Sequence, residues 1–153
     1  TLRSGATGSA TGNRVAKDNS GAQVTATGYY AGQNNCTFEV TATGYKAAKA
    51  NSGRRVTATG HKAAIDNFGE EVTATGFEAA QNNSANRVTA TGFRAAGSNT
   101  GDGVIAIGHK AAQFNSENDI MIITDQNGNR RMELDLSNGN LAIEGSINQN
   151  ASL

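Results

Sequence analysis

Val24-Thr25-Ala26-Thr27-Gly28 decides the fold of this chain. The same five residues return at Val40 to Gly44, Val56 to Gly60, Val72 to Gly76 and Val88 to Gly92, each time 16 residues further on. A degenerate copy, Gly8-Ser9-Ala10-Thr11-Gly12, precedes them, and an apolar variant, Val104-Ile105-Ala106-Ile107-Gly108, follows. Seven copies of a 16-residue unit therefore cover 8–119. Repetition at a short fixed period marks a solenoid, in which each unit stacks on its neighbours.

The unit reads as 16 columns. In the first five, Val, Ala and Gly point one way and the two Thr the other, and alternation with β-branched residues predicts a strand. Column five is always Gly (Gly12, Gly28, Gly44, Gly60, Gly76, Gly92, Gly108), which predicts positive φ or close backbone approach. Column six carries Tyr29, Tyr45, His61, Phe77, Phe93 and His109. Columns eight and nine are small, as in Ala47-Ala48 and Ala63-Ala64, and predict a second strand in a tight place. Gly, Asn and Ser in the remainder weigh against a helix there. Column twelve is always Asn (Asn19, Asn35, Asn51, Asn67, Asn83, Asn99, Asn115), which predicts a stacked amide ladder. The last four columns are polar and variable and read as an outward turn. Seven turns at ~4.8 Å each give a rod on the order of 30 Å long.

The composition fits a thin stack better than a globule. Of 153 residues, 19 are Gly, none is Pro or Trp, and 37% are hydrophobic, many of them Ala. Burial at ~25 cal/mol per Å2 leaves a single roll of this kind marginal against its chain entropy, which predicts an obligate parallel homotrimer sharing an axial core. Net charge is zero, so overall charge gives no case for nucleic acid or an anionic membrane. No stretch approaches the ~20 apolar residues of a membrane helix. The one cysteine, Cys36, excludes an intrachain disulfide and reads as incidental.

The period breaks after Asp119. Three short strands are predicted, Ile120 to Thr124, Arg130 to Leu136 and Leu141 to Ile147, separated by Asp125-Gln126-Asn127-Gly128-Asn129 and Ser137-Asn138-Gly139-Asn140 as turns. In the second, Met132, Leu134 and Leu136 share one face and Arg131, Glu133 and Asp135 the other. The expected organisation is a lead-in over 1–7, repeats over 8–119, a β-meander over 120–147 and a tail over 148–153.

Val104-Ile105-Ala106-Ile107-Gly108-His109-Lys110-Ala111-Ala112, with Asn115-Ser116, resembles the head repeat of YadA-like trimeric autotransporter adhesins, which also occurs in bacteriophage tail fibres. The resemblance covers about three quarters of the chain; the earlier copies have Thr where the family phrase has Val and Ile, and the period is longer than the family's. It implies a left-handed parallel β-roll, with three rolls about a threefold axis. The strands from Ile122 to Ile147 resemble the Gly-Asn-rich connectors of phage fibres more than the helical neck and stalk of an autotransporter.

The expected fold is thus all-β: a left-handed parallel β-solenoid packed as a homotrimer, then a short meander. The expected function is a structural and receptor-binding segment of a trimeric extracellular fibre: a phage tail fibre attaching to a host-surface glycan or protein, joined to other fibre segments at both ends. The head of a bacterial adhesin is the alternative. Tyr29, Tyr45, His61, Phe77 and Phe93 are the candidate binding residues, against a plainer role in packing between turns. Gly28, Gly44, Gly60, Gly76 and Gly92, with Asn35, Asn51, Asn67, Asn83 and Asn99, are the structural ladders. No nucleic acid, membrane insertion, cofactor or metal is expected; His61 and His109 lie three turns apart.

Two other functional classes compete with this reading. Thr25/Thr27, Thr41/Thr43, Thr57/Thr59, Thr73/Thr75 and Thr89/Thr91 form ranks able to order water, as in an ice-binding solenoid. Against this, the same columns accept Ile105 and Ile107, which predicts that they are buried; alternation alone separates the faces without labelling them. An enzyme, for instance a glycan depolymerase, needs paired carboxylates. Asp66, Glu70, Glu71 and Glu78 are near in sequence but read as solvated turn charges, and no nucleophile, phosphate-loop or metal motif is present.

Overall fold

The computed structural model of the chain describes residues 8–144. The lead-in at 1–7, the end of the third predicted strand and the 148–153 tail lie outside the described residues. The architecture is all-β, a parallel solenoid of about seven coils at 16-residue spacing. Ten strands follow in chain order: β1 Gly8–Thr11, β2 Val24–Thr27, β3 Val40–Thr43, β4 Val56–Thr59, β5 Thr73–Thr75, β6 Thr89–Thr91, β7 Ile105–Ile107, β8 Ile120–Thr124, β9 Arg130–Asp135 and β10 Leu141–Ile143. They form one sheet in the order of the sequence.

From β1 to β8 every neighbour pair is parallel and every residue faces the one 16 positions later. From β2 to β7 the Val and Ala of the strand phrase point inward and are buried, whereas β1 is exposed throughout. The core is narrow. It consists of the Val and Ala of the strands, the Ala pairs of columns eight and nine, and the column-twelve Asn. Its largest fully buried side chains are Ile122, one Val per coil and one Asn per coil.

Three expectations are corrected. Columns eight and nine are not a strand. Within 45–50 the chain forms turns, with Lys46, Ala48 and Ala50 at φ of 56°, 48° and 54°. Alternate left-handed residues coil the chain too tightly for an extended strand, at a cost of roughly 1–2 kcal/mol each in an isolated chain. The stack offsets it, because these residues hydrogen-bond between coils: Lys46 N–H to Tyr29 C=O at 2.9 Å, Ala48 to Ala63 at 2.8 Å, Ala50 to Gln33 at 2.8 Å.

The second correction concerns the Thr columns. In the chain all ten Thr of β2–β6 point outward and are exposed. Within these strands the wholly apolar Val and Ala turn to the narrow core, where the hydroxyl of the near-isosteric Thr would need a partner.

The third concerns the end of the repeat. Ile120 to Thr124 is an eighth copy of the strand phrase, since Ile105, Ala106 and Ile107 pair in parallel with Met121, Ile122 and Ile123. Thr124 takes the place of Gly, and its hydroxyl donates to the His109 carbonyl at 2.9 Å. Beyond it the direction reverses: β9 is antiparallel to β8, and β10 to β9.

Candidate functional site

Stacked outward columns organise the surface of the described residues. The first pair of columns lies on the sheet. Register places Thr25, Thr41, Thr57, Thr73, Thr89, Ile105, Met121, Leu134 and Leu141 in one rank across the strands, and Thr27, Thr43, Thr59, Thr75, Thr91, Ile107, Ile123, Met132 and Ile143 in the other. Each rank is Thr for five coils and apolar for the rest. The apolar part is open: Leu141 is 54% exposed, Ile143 41% and Ile107 38%.

The opposite face of the sheet changes in the reverse sense. Beneath β2–β8 lie the buried Val, Ala and Ile of the core. On β9 the same face carries Glu133 and Asp135, paired across from Ile122 and Ile120. β8 is therefore apolar on both faces, with Ile120 and Ile122 buried inward and Met121 and Ile123 half-buried outward. Large contiguous apolar surface on a protein marks a contact site.

The second outward column is aromatic. Tyr29, Tyr45, His61, Phe77, Phe93 and His109 stack with centroids 4.7–5.7 Å apart and ring planes within 16° of parallel. Ring faces are spent on one another and only edges meet solvent. The Nδ1 atoms of His61 and His109 are buried without a hydrogen-bond partner. The five aromatic candidates thus form one ladder, whose faces are closed to a stacking ligand.

The two structural columns hold the coils in register. Asn51, Asn67, Asn83, Asn99 and Asn115 each donate Nδ2–H to the Oδ1 of the Asn one coil earlier, at 2.8–3.1 Å. A second Nδ2–H goes to the carbonyl two residues on, at 2.7–2.9 Å. Asn35, buried one coil above, accepts from Asn51 and donates to the Thr37 carbonyl at 3.4 Å. Gly60 shows why column five is invariant within this chain: its φ is +128°, and a Cβ there would lie 2.3 Å from the Gly76 carbonyl oxygen. Gly28, Gly44, Gly76 and Gly92 repeat that approach.

Glu78 departs from its reading as a solvated charge. Its side chain is 8% exposed and bridges Lys62 at 3.3 Å and Arg94 at 2.8 Å, one coil to either side. Burial pushes its carboxyl pKa up, but the hydrogen bonds from Arg94 and Lys62 outweigh this and hold it below the ordinary value. The 16-residue spacing of Lys62, Glu78 and Arg94 was the signal that could have found it. In the hairpin after β8, hydrogen bonds from Arg131 first, then Asn129 and Asn127, hold Asp125 far below the ordinary carboxylate range.

Asp66, Glu70 and Glu71 do not converge with Glu78. Glu70 and Glu71 instead flank Arg55, at 3.6 and 2.7 Å. Among the described residues no group of three His, Cys, Asp or Glu is placed to hold a metal ion, and no helix is long and apolar enough to cross a membrane. Cys36 is exposed and free. No protein-family model, curated protein or solved structure matches the chain.

Proposed function

We propose that the chain is a rigid segment of a trimeric extracellular fibre that attaches to a host or cell surface. The observation that carries this is the outward face of the sheet. Its two ranks run from Thr into Ile105, Ile107, Met121, Ile123, Met132, Leu134, Leu141 and Ile143, and in a single chain this apolar stretch stands open. The chain's own core lies on the other side, so a second surface must cover it. Copies of the same chain meet that need: three parallel rolls facing one axis bring equivalent ranks together at equal height, and the Thr ranks follow them into contact. The narrow Val, Ala and Asn core favours the same arrangement, because it leaves little stabilisation to a lone roll. The resemblance to YadA-like head repeats points to a left-handed roll. The short antiparallel strands after β8, in place of a helical stalk, favour a phage tail fibre over a bacterial adhesin.

The test is solution mass by light scattering on a sizing column. The expected result is three times the 15.7 kDa of the chain; a folded monomer at micromolar concentration would overturn the trimer.

A second reading, ice binding, is favoured by one observation: the ten Thr of β2–β6 lie exposed in two straight ranks on a parallel sheet. It requires that face to stay open to water, whereas the fibre reading requires it covered. A monomer showing thermal hysteresis that Thr59→Lys abolishes would establish it.

A further inference from the structure

The neutral total hides a segregated charge. Residues 1–55 carry seven Lys and Arg against two Asp and Glu; residues 56–153 carry six against eleven. Several cations of the first half lack a carboxylate partner, although Arg55 pairs with Glu70 and Glu71. In the later coils Lys62, Arg87 and Arg94 pair with carboxylates one coil away, and in the hairpin Arg130 and Arg131 do so locally. In the first three coils Arg14, Lys46 and Lys49 have no carboxylate partner among the described residues and lie on rings instead. Arg14 sits 5.4 Å and Lys49 5.6 Å from the Tyr30 centroid, and Lys46 4.9 Å from that of Tyr45. Lys17 adds a fourth cation, touching only its exposed neighbour Asp18. Tyr29 packs edge-on against Tyr30. Hydrogen bonds from Tyr29 and Arg14, with the charge of Lys49 nearby, lower the Tyr30 phenol below its ordinary pKa. These residues belong to the turn wall beside the aromatic column, not to the Thr-bearing sheet.

We infer that this wall of the first three coils is a docking surface for an acidic polysaccharide, whose carboxylate or sulfate groups pair with Arg14, Lys17, Lys46 and Lys49. Arg14, Lys46 and Lys49 have no carboxylate partner among the described residues and are held against rings, so less of their side-chain freedom is lost on binding; Lys17, beside Asp18, adds charge at the margin. The exposed Tyr29 and Tyr45 supply hydroxyl partners for sugar hydroxyls along the same strip. A single-stranded nucleic acid fits less well, because its bases need open aromatic faces. Tyr30 is covered by Arg14 and Lys49, and Tyr29 and Tyr45 are stacked on each other. The surface belongs to one chain, and three copies on a fibre would multiply weak contacts into avidity. The inference names the receptor chemistry of the fibre reading and rests on that reading for its biological role alone. The mass measurement tests the trimer and the assay below tests the wall, so each fails separately.

The experiment is fluorescence anisotropy with labelled polyuronate and sulfated oligosaccharides, a neutral dextran oligosaccharide and a single-stranded oligonucleotide, on the full chain at two salt concentrations. Binding of either acidic glycan, weakened by salt and weakened at least about tenfold in Lys46→Glu/Lys49→Glu, is expected. Arg87→Glu, in the acidic half, should leave it unchanged, and circular dichroism should show both variants folded. No binding to either acidic glycan would overturn the inference, as would equal binding of dextran or an equal loss in Arg87→Glu. Tighter binding of the oligonucleotide would assign the wall to nucleic acid. Salt-sensitive self-association without ligand, lost in the same double variant, would assign it to the acidic half of a second copy.

Discussion

The coils through β8 and the β9–β10 extension share one sheet and invert its polarity. In the coils of β2–β6 the inward face is Val and Ala and the outward face Thr; in the extension one face carries Glu133 and Asp135 and the outward face Met132, Leu134, Leu141 and Ile143. β8 sits at the crossing and is apolar on both sides. A coil can bury its apolar face by itself, because eleven residues of turn fold back over it. The extension has no such cover, so its apolar face is complete only against something outside the chain. The comparison separates what holds one chain together from what holds chains to each other.

The largest expected effect comes from breaking the second without the first. Ile107→Lys/Leu141→Lys places two charges on side chains that are exposed in the single chain. Exposed substitutions change the stability of an isolated chain by about 0.5 kcal/mol or less, yet three pairs of ammonium groups brought to one axis cannot be accommodated. Light scattering should show loss of the trimer, and any protein left folded should be monomeric. A trimer of unchanged mass would move the interface off this face.

Next comes the close contact inside the coils. Gly60→Ala puts a Cβ 2.3 Å from the Gly76 carbonyl oxygen at φ +128°, whereas Gly139→Ala in the extension has φ +79° and nothing within 4 Å. The first should cost more than about 3 kcal/mol and the second about 1 kcal/mol. Urea denaturation of the two variants side by side checks this, and equal losses would refute the close approach. Asn67→Ala should follow at about 2–4 kcal/mol. It removes the Asn51 and Asn83 contacts at 2.8 and 2.9 Å, leaving buried amide groups without partners. Asn115→Ala, at the last and less buried rung, should cost less. Reversal of that order would mean the ladder does not propagate through the stack.

The strand phrase, the Gly column and the Asn column were legible because a repeat prints each structural requirement several times. Ala47-Ala48 was misread because nothing in an Ala pair reveals that every second residue is left-handed; the stack imposes it, and propensity favours other conformations. Which face of Val-Thr-Ala-Thr turns inward was open to the sequence, since a period of two has no sign. Ile105 and Ile107 pulled the reading toward burial, which holds only if a second surface covers them. The eighth strand was hidden because Thr124 replaces the phrase's Gly and Met121 and Ile123 replace Thr, although the 16-residue count from Val104 to Ile120 was there to be read. The candidate aromatics were legible as a column; their mutual stacking was not, because residue identity does not fix ring orientation.

The smallest expected effect is acid sensitivity, and it distinguishes the two regions by how each fails. Glu78 in the coils and Asp125 in the extension both have carboxyl pKa values held below their ordinary values. A depressed folded value means that the ionised form stabilises the fold: the contribution is present above the unfolded value of about 4 and is lost as pH falls through the folded value. Asp125 is held far lower than Glu78 by Arg131 and two backbone N–H groups, so the hairpin should keep its structure to lower pH than the coil bridge. Hydrogen exchange between about pH 5 and pH 3 should show amides around Glu78 loosening first, because a neutral carboxyl there leaves the partly exposed Lys62 and Arg94 without their shared counter-charge. Glu78→Gln should remove most of that pH dependence while lowering stability at neutral pH, and Asp125→Asn should leave the coil amides unchanged. Earlier loosening of the hairpin would mean that its hydrogen bonds to Asp125 hold less firmly than the coil-to-coil bridge, and that the extension depends on its outward contacts more than on its own turn.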